Sequence, residues 1–248
     1  MRRIKDRVGE VNYNTYGSKM IIKEYRNKNS IDVYFPKYNW MKYNSSYQHF
    51  KNGLIKCPYE PRIYNRGYIG VGKYILMENK KTYQLWLNML KRCYSDKVSA
   101  KNSTYKKSEV FNEWLNFQNF AEWYYENYYE IEGENMHLDK DILVKGNKKY
   151  SPYTCIFVPE RINKLFENIT FNPKIQNGKY VVRLRRKDDI KYLGRFETKE
   201  EAFQIYKKEK EKYIKQVADK YKPYIPRELY DAMYKYEVDI NNWFLWSV

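Results

Sequence analysis

The sequence contains no apolar run of about 18 residues, the length that a membrane-spanning helix requires. Its first residues, MRRIKDRVGEVNY, lack the apolar core of a secretory signal peptide. Three scattered cysteines, Cys57, Cys93 and Cys155, form neither a disulfide framework nor a Cys-x-x-Cys metal knuckle. These absences predict a cytoplasmic protein with reduced thiols, and they argue against membrane insertion and against secretion.

Acidic residues are the minority among the charged side chains. The chain has 30 Asp and Glu against 47 Lys and Arg, a formal net charge of +17, and a pI of about 9.4. Such a balance favours a polyanionic partner, either nucleic acid or an anionic membrane surface. The 29 Tyr, 6 Trp and 11 Phe favour nucleic acid, because rings stack on bases while cations neutralise phosphates. Many of these rings are also expected to fill the cores of small domains.

The N-terminal part predicts β-structure. Residues 19–35, KMIIKEYRNKNSIDVYF, hold two β-branched and aromatic runs around a polar turn, which indicates a hairpin. Glycines and prolines crowd residues 50–74 and predict that a small β-rich unit ends there in a connector. We assign residues 1–66 to this N-terminal domain. Because basic residues flank its strands, an auxiliary contact with nucleic acid and a purely structural role both stay open.

Two amphipathic helices are predicted next. Residues 82–94, TYQLWLNMLKRCY, repeat large apolar side chains at helical spacing. This stripe consists of Tyr83, Trp86, Leu87, Leu90 and Tyr94. A second helix is predicted over residues 108–128, with Ser108 as its N-cap. Its apolar face would consist of Val110, Trp114, Phe117 and Ala121.

The segment HLDKDILVKGNKKYSPYTCIFVPERIN, from His137 to Asn163, predicts the order strand, turn, strand, helix. Residues 138–143 would form the first strand, Gly146–Asn147 the hairpin turn, and residues 155–159 the second strand. The helix would follow Pro159. Its apolar face would consist of Ile162, Leu165 and Phe166. A ββα unit of this kind can hold one divalent cation between the first strand and the helix, beside a base that activates water.

Residues 67–168, and above all the elements LDKDIL, GNK, YSP and FVP, resemble the HNH endonuclease-like proteins of bacteriophages. The resemblance implies a ββα-metal domain over residues 67–170 that hydrolyses DNA phosphodiester bonds with a divalent metal ion, Mg²⁺ or Mn²⁺. It carries the metal-binding carboxylate over to Asp139 and the helix ligand to Asn163. Lys140 stands where the family has its base histidine, and Thr154 stands where the family has its middle asparagine.

The lysine at position 140 leaves the general base open. Histidine serves as a base because its pKa lies near neutrality, whereas an unperturbed lysine is protonated at pH 7. Lys140 would act as a base only if burial or the metal lowered its pKa, and would otherwise hold a phosphate as a fixed charge. His137, two residues before Asp139 on the same strand face, is the other candidate. Asp141, expected on that face too, is a candidate second metal ligand or water-orienting group. The alternative is a surface histidine beside a solvated charge run.

The C-terminal third predicts a small sheet with a helix. The strands KYVVRLRR and IKYLGRF flank the polar turn at residues 187–189, and a helix over residues 198–214 opens with a Thr198–Glu201 capping box. The side of the first strand expected to pack on the helix consists of Tyr180, Val182 and Leu184, and its helical partners are Ala202, Phe203 and Tyr206. The other side consists of Lys179, Val181, Arg183 and Arg185. This row of cations on an open sheet fits a DNA major groove.

The motif YLGRFETKEEAFQIY resembles the AP2 DNA-binding domain. The resemblance implies a three-stranded sheet and a helix over residues 171–222 that read duplex DNA from the sheet. The DNA contacts that it carries over are Lys179, Arg183, Arg185 and Tyr192. Residues 223–248 are expected to form an aromatic tail with a helix from Pro226. Its aromatic end, Trp243, Phe244 and Trp246, would dock on the body or mediate self-association.

Together these expectations describe an α+β protein with a β-rich N-terminal part, a central ββα-metal unit with flanking helices, and a C-terminal reader of duplex DNA. The leading hypothesis is a phage-type, metal-dependent DNA endonuclease, the homing kind included, and a symmetric cutter would be a homodimer. A non-catalytic DNA-binding protein, a regulator or DNA-occupying factor on a degenerate HNH scaffold, is the first alternative. An RNA-binding or ribosome-associated protein is the second.

Overall fold

A computed structural model describes residues 6–96, 108–167, 171, 173–187 and 189–239. The chain divides into two compact units. Unit 1 comprises the residues up to Glu126 together with Lys149–Ser151, and unit 2 comprises Asn127–Lys148 together with the residues from Pro152 onward. Both units combine helices with small sheets, in agreement with the predicted α+β class. Among the helices described, none is long and apolar enough to cross a membrane.

Unit 1 opens with a four-stranded antiparallel sheet in the order β1–β2–β3–β4. Its strands are β1 (Val11–Tyr13), β2 (Lys19–Asn27), β3 (Ser30–Phe35) and β4 (Trp40–Ser45). The hairpin predicted over residues 19–35 is therefore confirmed as β2 and β3. One face of the sheet packs on helix α1 (Tyr47–Lys51) through a buried cluster. This cluster includes Met20, Ile22, Ile31, Val33, Phe35 and Phe50.

Residues 50–74 form no strand beyond isolated bridges, so the β-rich part ends before this connecting segment. In this segment, hydrogen bonds from side chains satisfy backbone groups that strand pairing would otherwise satisfy. The Gln118 amide accepts a hydrogen bond from the Tyr74 backbone N–H (3.0 Å) and donates one to the Tyr74 carbonyl (3.1 Å). Gly70 and Gly72 allow the close approach, because a Cβ at either position would collide with the side chain of Asn116 or of Gln118.

The helix predicted over residues 82–94 is confirmed as α2 (Lys80–Tyr94). Trp86 lies at its buried centre, where the indole N–H donates a 2.6 Å hydrogen bond to the carbonyl of Trp114. Leu90, from the predicted stripe, is fully buried as well. The apolar stripe of this helix is therefore part of the core of unit 1.

The second predicted helix begins later than expected, as α3 (Phe117–Asn127). Residues Glu109–Val110 instead form β5, which pairs in parallel with β7 (Lys149–Tyr150), and a 3-10 turn follows. Ser108 is consequently not an N-cap. Asn116 has that role, since its Oδ1 accepts a 3.1 Å hydrogen bond from the N–H of Gln118. Strand pairing thus overrides the helical periodicity of the preceding residues.

Unit 2 contains the predicted order of strand, strand and helix. Strand β6 (Met136–Asp139) pairs antiparallel with β8 (Ile156–Pro159), and α4 (Glu160–Glu167) follows at once. The first strand ends at Asp139 rather than at residue 143. Gly146–Asn147 is not a tight hairpin turn between the paired strands, because it lies within a long connection over residues 140–155. Part of that connection is β7.

A three-stranded antiparallel sheet in the order β11–β10–β9 follows. The elements are β9 (Lys174–Gln176), β10 (Lys179–Arg185), β11 (Ile190–Phe196), the long helix α5 (Lys199–Tyr221) and α6 (Arg227–Lys235). The capping box of Thr198 and Glu201 is confirmed, and so is a helix that starts after Pro226. Asp188 in the β10–β11 turn and the aromatic end, Trp243, Phe244 and Trp246, lie outside the described residues.

One core joins the two parts of unit 2. It contains the predicted helix–sheet contacts, namely Val182, Leu184, Ala202, Phe203 and Tyr206. It also contains residues of the ββα segment, namely Ile142, Ile156, Val158, Ile162 and Leu165. The ββα segment and the three-stranded sheet are therefore held by shared packing within a single unit.

Candidate functional site

His137 and Asp139 share one face of the strand pair β6–β8. They are two residues apart in an extended strand, and the register pairs them directly with Val158 and Ile156. Directly paired residues lie on the same face of a sheet. Val158 and Ile156 pack in the same core as Ile162 of α4, so this is the face that the helix covers.

The carboxyl group of Asp139 ends the strand by holding the backbone that follows it. Its Oδ1 accepts hydrogen bonds from the N–H groups of Asp141 (2.8 Å) and Ile142 (2.7 Å), an Asx turn. Burial, and secondarily the charge of Asp141, raise the pKa of Asp139 to about 6, although the two backbone N–H groups act in the opposite direction. Among the described residues Asp139 has no ion-pair partner. A cation beside this carboxylate would relieve the cost of its charge.

Lys140 and Asp141 form an ion pair with each other. The Lys140 Nζ lies 3.0 Å from the Asp141 Oδ2, and Lys140 is only 8% exposed. Asn147 donates a 2.6 Å hydrogen bond to the carbonyl of Lys140 and fixes the backbone there. Because the strand has already ended at Asp139, the expectation that Asp141 continues the strand face is wrong. Both side chains are engaged in a local contact.

The side chain of His137 is half-buried and lies near the start of α4. The carboxyl group there, that of Glu160, has a lowered pKa, first because Lys164 donates a hydrogen bond to it, then because Asn135 does, and in smaller part because of the charge of His137. Sequence reasoning did not identify Glu160. The signal available was the Pro-Glu at the junction of the second strand and the helix.

Asn163 lies in α4 one residue after the buried Ile162 and is itself half-buried. The hydrogen bonds described for the Asp139 carboxylate come from the backbone N–H groups of Asp141 and Ile142. Thr154 lies in the turn before β8. Within the described ranges no group of three or more His, Cys, Asp and Glu side chains is arranged to hold a metal ion.

The four predicted DNA contacts lie on one surface. Lys179, Arg183, Arg185 and Tyr192 are all exposed, and Tyr192 is 55% exposed. The register pairs Arg183 with Tyr192, which puts the cation and the ring side by side on the same face. Lys179 also forms a 2.5 Å ion pair with the exposed Glu197.

Two cations that were not predicted also lie on this surface, whereas one residue that was predicted there is buried. Val181 is 4% exposed, although the alternation predicted it on the open side. Its direct cross-strand partners are Arg195 in β11 and Lys174 in β9, both exposed at their ends. The long stems of such side chains can cover an apolar neighbour while the charges stay in water. We call the exposed set Lys174, Lys179, Arg183, Arg185, Tyr192 and Arg195 the cationic face.

Lys210, on α5, is a further residue that sequence reasoning missed. It is 3% exposed and lies one turn after Tyr206 and one turn before Ile214, both buried. Desolvation lowers its pKa to about 8. The sequence signal for its burial was the apolar residues that lie one helical turn before and after it.

Comparison of this chain with protein-family models, with curated proteins and with solved structures found no match.

Proposed function

We propose that this protein is a DNA-binding endonuclease of the HNH type that hydrolyses phosphodiester bonds with a divalent metal ion. The observation that carries the proposal is the half-buried carboxylate of Asp139, which forms no ion pair among the described residues and lies on the helix-covered face of a ββα unit together with His137. A half-buried carboxylate on the same strand face as an imidazole is an arrangement that metal-assisted hydrolysis uses.

The Asp139 carboxylate and the side-chain oxygen of Asn163 would hold the cation. A bound Mg²⁺ would supply Lewis-acid stabilisation of the scissile phosphate and of the leaving oxygen. His137 would take the proton from the attacking water as the new P–O bond forms and the bond from phosphorus to O3′ or O5′ breaks. Lys140 is the weaker candidate for the base, because its ammonium group is engaged with Asp141.

The cationic face would bind duplex DNA. Its cations stand on alternate positions of β10 and on both neighbouring strands, with Tyr192 among them. A small sheet with this charge can enter a major groove, where arginines contact guanine edges and phosphates. Because the ββα segment and this sheet share one core, the DNA would be held at a fixed position relative to Asp139.

A second function is favoured by a specific observation. Lys140 and Asp141 neutralise each other, and the described residues supply no cluster of three metal-binding side chains. A non-catalytic DNA-binding protein on a degenerate nuclease scaffold would have these features. It would bind duplex DNA through the same cationic face.

The test is cleavage of supercoiled plasmid and of a pool of randomised duplexes by the purified chain with Mg²⁺ or Mn²⁺. The pool allows a site-specific enzyme to meet its site. Cleavage that is lost with a chelator and in Asp139→Asn, but kept in the exposed-carboxylate control Glu126→Gln, supports the endonuclease. No cleavage, with salt-sensitive duplex binding that Asp139→Asn leaves intact, supports the non-catalytic protein.

A further inference from the structure

The four-stranded sheet of unit 1 has a second face, opposite to its packed core. The register pairs Tyr13 with Lys19 across β1 and β2, and Ile21 with Tyr34, which in turn pairs with Met41, across β2, β3 and β4. These residues alternate with the buried Met20, Ile22, Val33 and Phe35, so they lie on the other side of the sheet. We call the set Tyr13, Lys19, Ile21, Lys23, Tyr34 and Met41 the open face.

The open face carries positive charge that is not neutralised locally. Lys19 and Lys23 are exposed, and in the part of the chain that the structure describes neither forms an ion pair. The Lys23 Nζ lies 5.3 Å from the centre of the Tyr34 ring, which keeps this cation near the middle of the face. Farther along the sheet, Arg26 is paired with two carboxylates, those of Glu24 and Asp32. Among the described residues, the cations of the open face that form no ion pair therefore lie in the half of the face away from Arg26.

The same half presents aromatic surface to solvent. Tyr13 on the edge strand β1 is 58% exposed, although it belongs to a strand. At the opposite edge Tyr43 of β4, two residues after Met41, is 61% exposed. Four strands at the usual spacing span roughly 14 Å between the two edges. Rings at both edges with lysines between them are spaced for a short run of nucleotides.

We propose that the open face binds a single strand of nucleic acid. Tyr13 stacks on a base, while Lys19, directly across from it, and Lys23, four residues farther along β2, contact phosphates of the strand. A base can reach the ring of Tyr13 only when it is unpaired, so a duplex does not use this surface in the same way. The apolar centre, formed by Ile21 and Met41, accommodates bases and not phosphates. This activity is separate from the cationic face and from cleavage.

Charge favours nucleic acid over a protein partner. The centres of protein interfaces are depleted of lysine, because a buried ammonium group must lose its water. Here Lys23 stands near the centre of the face and Lys19 beside an exposed ring. A polyanion satisfies both charges and the rings together.

The test is binding of a fluorescent oligothymidylate by the full-length chain, with a fluorescent duplex measured at the same salt. We expect Tyr13→Ala, and separately Lys19→Ala/Lys23→Ala, to weaken oligothymidylate binding by about fivefold or more, the loss of one stacked base or of two phosphate contacts. Duplex affinity should change by less than about twofold. Lys28→Ala/Lys51→Ala removes the same charge from exposed positions elsewhere in unit 1 and is the matched control.

Four results would overturn the proposal. Oligothymidylate affinity could be unchanged in both open-face variants, or it could fall no more than in the Lys28→Ala/Lys51→Ala control. It could also fall only in Arg183→Ala/Arg185→Ala, which would assign the strand to the cationic face. A change in oligomeric mass in Tyr13→Ala without a change in oligothymidylate affinity would assign the open face to a second copy of the chain. None of these depends on whether the protein cleaves DNA.

Discussion

The ammonium group of Lys140 lies 3.0 Å from the carboxylate of Asp141, its neighbour in the chain, and both side chains are turned to this contact. Lys140 stands at the sequence position where the HNH endonuclease-like proteins, which this segment resembles, have their base histidine. This ion pair occupies the Lys140 ammonium group. The contact therefore makes His137 the stronger candidate for the base on this strand.

The first prediction separates the two candidates for the base. In a cleavage assay with Mg²⁺, His137→Ala should lower the rate by about 10²- to 10⁴-fold, the usual contribution of a general base. Lys140→Met should lower it by less than about tenfold, after correction for any loss of folded protein measured by thermal unfolding. Equal losses in both variants, or a larger loss in Lys140→Met, would contradict the assignment.

The second prediction concerns Asp139 and pH. Its pKa is raised from 3.8 to about 6, so between about pH 4 and pH 6 the folded state binds the proton more tightly than the unfolded state does. The free energy of unfolding should therefore fall as pH rises through that window, and remain low above it. Asp139→Asn keeps the acceptor oxygen and removes the charge, and should be more stable than the unsubstituted chain at pH 7 by about 2 kcal/mol.

Urea unfolding at pH 4.5 and pH 7 checks this, with Glu126→Gln as a control for an exposed carboxylate. Mg²⁺ should stabilise the unsubstituted chain at pH 7 and have little effect on Asp139→Asn, because ligands stabilise the state that binds them. A stability difference between the two chains that does not vary with pH would count against a charged Asp139.

Much of the local structure was readable from the sequence. The hairpin of β2 and β3, helix α2 and the Thr198–Glu201 capping box depend on patterns within a few residues, and all three are confirmed. The packing of Val182 and Leu184 on α5 followed from the alternation of period two. Where propensity, periodicity and capping agree, the local pattern is sufficient.

Two of the errors come from pairing with residues outside the local pattern. Val110 pairs with Tyr150, 40 positions away in the sequence, where the periodicity predicts a helix. Val181 is buried, and its cross-strand partners Arg195 and Lys174 have long stems that can cover it. A third error is local: the Asp139 carboxylate accepts hydrogen bonds from the N–H groups of Asp141 and Ile142, and this Asx turn ends β6 early and takes Asp141 off the strand face. Alternation of side chains alone does not show that such a competing side-chain–backbone hydrogen bond forms.

The third prediction concerns the cationic face. Arg183→Ala/Arg185→Ala should weaken duplex binding and reduce the slope of log affinity against log salt by about two, since each lost phosphate contact removes about 0.9. Lys208→Ala/Lys212→Ala removes the same charge from exposed positions of α5 and should leave the slope nearly unchanged. Titrations at several salt concentrations measure both. Equal slopes for the two double variants would show that net charge, and not the sheet surface, governs binding.

The fourth prediction concerns Lys210, which is buried among apolar residues of α5. Below about pH 8 it is protonated in both the folded and the unfolded state, so the full cost of burying the charge is present. Between about pH 8 and its ordinary pKa of 10.5 the folded state releases the proton first, and this contribution to stability rises with pH. Lys210→Met keeps the length of the side chain without the charge, and should stabilise the protein at pH 7 by about 3 kcal/mol.

The difference in unfolding free energy between Lys210→Met and the unsubstituted chain isolates this contribution from other groups that titrate at high pH. It should be largest at pH 7 and shrink towards pH 10. Lys208→Met, at an exposed position of the same helix, should show no such trend. Duplex affinity should be the same in Lys210→Met, because this lysine is buried on α5 and does not belong to the cationic face. A Lys210→Met variant that is less stable at pH 7 would mean that the ammonium group is satisfied within the fold, and that its charge supports the packing of α5 against the sheet.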